Sequence, residues 1–162
     1  DSVMQLDSDG QFVAAELPAL AQLCSHEVPI VIGARRSRTD PWYRKIITNG
    51  LKIFLQVLVR CKSSDPNTPV RVYETNTLKT LLSTLPENAM IPNIYLTISA
   101  NDLEIPVRTQ IISHAVRSGT NSQGTMWRNS SRIQIAIPRR LISFSARAFL
   151  ELMHFVKDRK RR

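Results

Sequence analysis

The ten residues from Leu51 to Arg60, LKIFLQVLVR, constrain the fold more than any other stretch. Leu51, Ile53, Leu55, Val57 and Val59 alternate with Lys52, Phe54, Gln56, Leu58 and Arg60. An extended chain with that order has one wholly apolar face, as a strand packed on a core would. NIYLTIS (93–99) and LEIPVRTQII (103–112), joined across the turn-like Ala-Asn-Asp, read as a hairpin in which Pro106 marks an edge or a bulge. RIQIAIP (132–138) alternates again, with Ile133, Ile135 and Ile137 facing in, and VPIVIG (28–33) reads as a short buried strand. VRVYE (70–74) supplies a further strand.

Helical signals fall between these runs. Pro18 suits the first turn of a helix over PALAQLCSH, and NTLKTLLSTLP spaces Leu78, Leu81, Leu82 and Leu85 as one helix face until Pro86. Thr39 or Asp40 as N-cap, Pro41 at the first turn and Asn49-Gly50 as a stop define a short helix in DPWYRKIITNG. SFSARAFLELMHFVK puts Phe149, Leu152, Met153 and Val156 on one face. Strands and helices are intermixed without βαβ alternation or repeats. The expectation is a single α+β domain with a mostly antiparallel sheet packed with two or three helices. Its parts are an acidic N-terminal segment (1–33, helix and short strand), a core (34–156) and a basic tail (157–162).

A chain of 162 residues can bury well over half of its unfolded surface, so it needs no staples. Cys24 and Cys61 form neither a disulfide framework nor a zinc site. No apolar run approaches the roughly 18 residues of a membrane-spanning helix, and DSVMQLDSDG is acidic and polar, unlike a signal peptide.

The net charge of +9 is unevenly spread. Residues 1–33 hold no Lys or Arg, whereas cations cluster from Arg35 to Lys62 and from Arg128 to Arg162. In GARRSRTDPWYRKI, arginines stand beside Trp42 and Tyr43, a combination that neutralises phosphates while rings stack on bases, or that sits at a bilayer interface. The polyanion-binding candidates are Arg35, Arg36, Arg38, Trp42, Tyr43, Arg44 and Lys45, with Arg35, Arg36 and Arg38 on an exposed loop. A second set is Arg139, Arg140, Lys157, Arg159, Lys160, Arg161 and Arg162. The tail KDRKRR resembles a nuclear-import cluster and equally suits a helix C-terminus.

Signals for catalysis are few. His26, His114 and His154 lie far apart, and no G-x-S-x-G elbow occurs. GTNSQGTM has the glycine spacing of a phosphate loop but Thr125 where Lys should stand, and RSGTNSQGT (117–125) reads as a nickable loop. The acids are scattered singly, so no Mg²⁺ site, cofactor or enzyme is expected.

The order LKIFLQVLVR, VRVYETNTLKTLLSTL, NIYLTIS, RIQIAIP resembles that of rhabdovirus matrix proteins. The resemblance implies a non-enzymatic viral structural protein that self-associates and bridges viral ribonucleoprotein and anionic membrane. Its setting would be the virion and the infected cell, and it would have no small-molecule substrate. The alternative is a nucleic-acid-binding protein such as a silencing suppressor, coat or transcription accessory protein.

Overall fold

A computed structural model describes residues 1–7, 10–35, 42–61, 65–113 and 139–159, with only the backbone at Trp42 and Arg44. The protein is α+β. It divides into two compact units, Asp1–Ala115 and Val116–Arg162.

The first unit is organised by four strands: β1 (Ser2–Gln5), β2 (Ile30–Arg35), β3 (Arg71–Glu74) and β4 (Val107–Ile112). They lie in the order β1-β3-β2-β4. β3 is antiparallel to both neighbours, with Gln5 and Ile32 opposite Arg71, whereas β4 runs parallel to β2, with Ile112 opposite Arg35. The sheet is therefore mixed, with two of its three ladders antiparallel.

β2 is central and buried along its length, which its continuous apolar run encodes. Successive residues face opposite sides. Ile30 and Ile32 pack with Tyr73, Leu81, Leu96 and Ala100 on one face; Val31 packs with Leu20, Val70, Val72 and Ile112 on the other. α3 (Thr75–Leu82) and α4 (Pro92–Asp102) contribute to the first layer, α1 (Leu17–Gln22) to the second.

Two expected strands are helical. LKIFLQVLVR belongs to α2 (Trp42–Phe54), which continues into a π-helical turn, Leu55–Val59. Phe54 and Leu58 occupy the nominally polar side of its alternation, so apolar residues lie all around and a helix satisfies them equally. Asn49-Gly50 does not stop α2, because elongation adds a hydrogen bond for each residue fixed. NIYLTIS lies within α4, where Ile94 through Ala100 are all buried. A helix buried all round carries no 3.6-residue period in its sequence. The hairpin expected from 93–112 is accordingly absent: β4 pairs with β2 instead.

The described residues include five α-helices rather than two or three. In the second unit, α5 (Arg139–Arg159) buries Leu141, Ala148, Leu152 and Val156. Phe149 and Met153, expected on the same face, are exposed. RIQIAIP, RSGTNSQGT, GTNSQGTM, Thr39 to Pro41 and His114 lie outside the described residues.

Candidate functional site

Because β3 is antiparallel to β1 and β2, and β4 is parallel to β2, the carboxyl ends of β1, β2 and β4 reach the same edge of the sheet, where β3 begins. In open α/β sheets, ligands bind outside the carboxyl ends of strands. Several polar side chains of the first unit, Gln5, Arg35, Asp65 and Asn93 among them, are bonded at this edge.

β1 ends at Gln5, whose Nε2 donates to Asn93 Oδ1 at the start of α4 (2.9 Å). Two residues further on stands the exposed carboxylate of Asp7, and the sequence continues Ser8-Asp9-Gly10. Gly10 has φ +71°, a left-handed turn that glycine adopts without penalty. The chain then enters a 3₁₀ turn, Ala14–Glu16, and Glu16 Oε2 accepts from the backbone N–H of Ser113 (2.8 Å), tying the turn to the end of β4.

At the end of β2, Arg35 grips Asp65 with two parallel bonds, Nε to Oδ2 (2.8 Å) and Nη2 to Oδ1 (3.0 Å). Such bidentate geometry fixes orientation as well as charge. Asp65 opens the segment 65–70 that leads into β3. Thr68 holds that segment to β2, its Oγ1 donating to Gly33 O (2.7 Å), while Gly33 N–H donates to Val70 O (2.9 Å).

Arg71, only 1% exposed, lies beneath this segment. Its Nε donates to Thr68 O (3.1 Å), Nη2 to Pro66 O (2.5 Å), and Nη1 to Thr97 Oγ1 (2.9 Å) and Tyr73 Oη (3.4 Å). Burial pushes the Tyr73 phenol up, an effect opposed by the adjacent guanidinium. Thr97 Oγ1 in turn donates to Asn93 O (2.7 Å), so one network joins β3, the 65–70 segment and the first turn of α4.

Of the polyanion-binding candidates, Arg35 stands at this edge. Arg35 is not on an exposed loop: it is the last residue of β2, with its side chain 12% exposed and paired to Asp65. Tyr43 is buried, since it falls on the inner side of α2. Lys45, Arg139, Arg140 and Lys157 are exposed and Arg159 is half-buried. Arg36, Arg38, Lys160, Arg161 and Arg162, with the side chains of Trp42 and Arg44, lie outside the described residues.

Sequence reasoning missed Asp7, Arg71, Asn93 and Gln5. A signal existed for the first: Asp-Ser-Asp-Gly follows closely on a short run, SVMQ, that forms a strand. The others depend on contacts across 26 to 88 residues of chain. Among the described residues no group of three or more His, Cys, Asp or Glu could hold a metal ion. No helix among them is long and apolar enough to cross a membrane.

No family model matches the chain. It is 27% identical over 127 residues to an undecaprenyl-phosphate 4-deoxy-4-formamido-L-arabinose transferase of Edwardsiella ictaluri, covering 78% of this chain and 38% of the relative. Proteins of the same name from Aeromonas hydrophila and Serratia proteamaculans are 26% identical over 127 residues and 25% over 107 residues. Those matches cover 78% and 66% of this chain, and 37% and 33% of the relatives. The matches thus span about a third of the length of these relatives.

These relatives correct the functional expectations. They are bacterial and named as transferases, not viral matrix proteins, and their names include a sugar and a lipid phosphate. The viral ribonucleoprotein and membrane-bridging partners, the nucleic-acid alternative, the non-enzymatic role and the lack of a small-molecule substrate are overturned together. The structure removes part of what suggested the matrix family: two of the segments read as its strands are helices.

Proposed function

We propose that the chain carries part of the machinery of a transferase that moves a sugar onto a lipid phosphate. The observation that carries this reading is the single name borne by three relatives, each 25–27% identical over 107 residues or more. The common edge of β1, β2 and β4 supports it, because polar groups gather there where substrates of open sheets are handled.

The chemistry asks for two capacities. A phosphate oxygen of the acceptor forms a bond to the anomeric carbon, and the bond from that carbon to its leaving group breaks with the electron pair departing on the leaving group. A phosphate leaving group needs its growing charge neutralised. Asp7 presents a hard oxygen donor just past the end of β1, and the sequence carries a second carboxylate, Asp9, two positions further on. They suit a divalent cation of the Mg²⁺ type, usually held by one or two carboxylates and completed by substrate phosphates. Such an ion, when bound, supplies that neutralisation. Gln5 and Asn93, bonded to each other beside Asp7, offer neutral groups to orient sugar hydroxyls.

The test is transfer itself. The protein is incubated with undecaprenyl phosphate in vesicles and a radiolabelled 4-formamido-arabinose activated on a nucleoside diphosphate. Label should pass into the lipid phase, cease on chelation, and fall roughly hundredfold in Asp7→Asn, whose exposed site leaves folding intact. Failure of the parent to label lipid under any divalent cation rejects the reading.

A further inference from the structure

Arg71 is a fully buried guanidinium that donates to neutral oxygens: two backbone carbonyls, a threonine hydroxyl and a phenol. Burying a charge is expensive, and well-packed apolar residues often replace buried ions without loss of stability. A plain core position between β3 and α4 therefore gives no reason for an arginine. The donor geometry does. Nε and Nη2 take the carbonyls of Thr68 and Pro66, two residues apart in one short segment, while Nη1 reaches Thr97 on α4. Only a planar fork on a long stem serves three such directions at once.

We infer that Arg71 is a positioning residue. It fixes the 65–70 segment against α4 and so sets where the Asp65 carboxylate and the Asn93 amide stand at the carboxyl edge of the sheet. The inference rests on the proposed transferase reading for its consequence, since that edge is where the sugar and the phosphate would meet. Arg71 touches neither substrate nor the outer edge itself. It acts through Pro66 and Thr68 on Asp65, and through Thr97, which is bonded to Asn93 O. Arg35 holds Asp65 from the other side, so the carboxylate is located by two arginines from two strands.

Arg71→Lys keeps the charge and most of the length but offers one point donor in place of the fork, and Arg71→Met removes both charge and donors. Hydrogen exchange reads the segment directly, through the Thr68 N–H that donates to Asp65 O (3.2 Å) and the Val70 N–H that donates to Thr68 Oγ1 (3.4 Å). In Arg71→Lys, protection at these two amides should fall about tenfold while the β1–β3 ladder and α3 keep theirs. At a temperature where the variant is wholly folded, kcat for transfer should fall on the order of a hundredfold with KM for the activated sugar little changed, as expected when a bound substrate meets misplaced groups.

Should Arg71→Met not fold, Thr97→Val removes one acceptor of the fork at nearly constant volume and should give the same pattern more weakly. Unchanged protection at Thr68 and Val70 overturns the inference, as does an equal loss across the whole sheet, which marks an ordinary core residue. Loosened amides with unchanged kcat overturn it too. If the parent transfers no sugar, the transferase reading falls, and the positioning of segment 65–70 is judged on exchange alone.

Discussion

Glu74 closes the amino end of α3 with both carboxylate oxygens. Oε2 accepts from the Thr77 N–H (2.7 Å) and the Thr77 hydroxyl (2.9 Å), and Oε1 from the Asn76 N–H (3.1 Å). The Thr77 and Asn76 amides, followed by the Thr77 hydroxyl, hold its pKa down to about 2. A folded-state pKa below the unfolded one means that the stabilisation is complete above the unfolded value of about 4.3 and is lost as pH falls through about 2. Urea midpoints measured from pH 6 to pH 2 should therefore fall with acid, and Glu74→Gln should flatten that fall; parallel curves for the two proteins would refute the assignment. At Gly33 the constraint is space rather than charge. A Cβ there would stand 2.6 Å from Ile112 Cδ1 and 3.0 Å from Val70 Cγ1. Gly33→Ala should cost about 1–3 kcal/mol in denaturant titration. Ile112→Val, which removes Cδ1, should recover part of that loss in the double variant. The Gly33 constraint is not visible in sequence: VPIVIG ends in an ordinary glycine, and the residues that crowd it come from positions 70 and 112. Arg35 was unreadable for the same reason, its partner lying thirty residues along the chain.

α2 carries a residue at odds with its conformation. Gly50 sits inside the helix with nothing within 4 Å of where a Cβ would be. Gly50→Ala should thus raise stability by roughly 0.5–1 kcal/mol, since it lowers the backbone entropy lost on folding without adding a contact. If Asn49-Gly50 were the stop between a short helix and a strand, as the sequence pattern suggests, the same change would be neutral or harmful. Circular dichroism with thermal melts separates the outcomes. The π-helical turn that follows ends at Arg60, a non-glycine residue with φ 57°. Asn101 Nδ2 on α4 donates to Val59 O beside it (3.3 Å), meeting a carbonyl that the end of the helix leaves short of partners. Elements whose pattern had one reading were legible: β2 from its continuous apolar run, α3 from its leucine spacing and Pro86, β3 from VRVYE. The errors fell where apolar residues occupy every side, in α4 and at the end of α2, since periodicity then has nothing to report.

At the scale of the molecule, the acidic stretch before Gly33 has a different meaning from the one its composition suggests. It lays β1 against β3 and delivers Asp7 to the edge where β2 and β4 also end. The Asp7→Asn loss of transfer and the Arg71→Lys loss of kcat are both consequences of that edge. A net charge of +9 invited a reading by charge alone, yet Arg35 at the edge is spent on Asp65, and the buried Arg71 on carbonyls and hydroxyls. By itself the sequence determined the α+β class, the central strand and several helices, because local spacing and the burial of a continuous apolar run act within a few residues. Only the tertiary structure decided that residues 55–59 and 93–99 are helical, that β4 runs parallel to β2, and that Asp7, Asp65, Arg71 and Asn93 share one end of the sheet. Those outcomes rest on contacts between distant segments, for which a pattern within one segment carries no information.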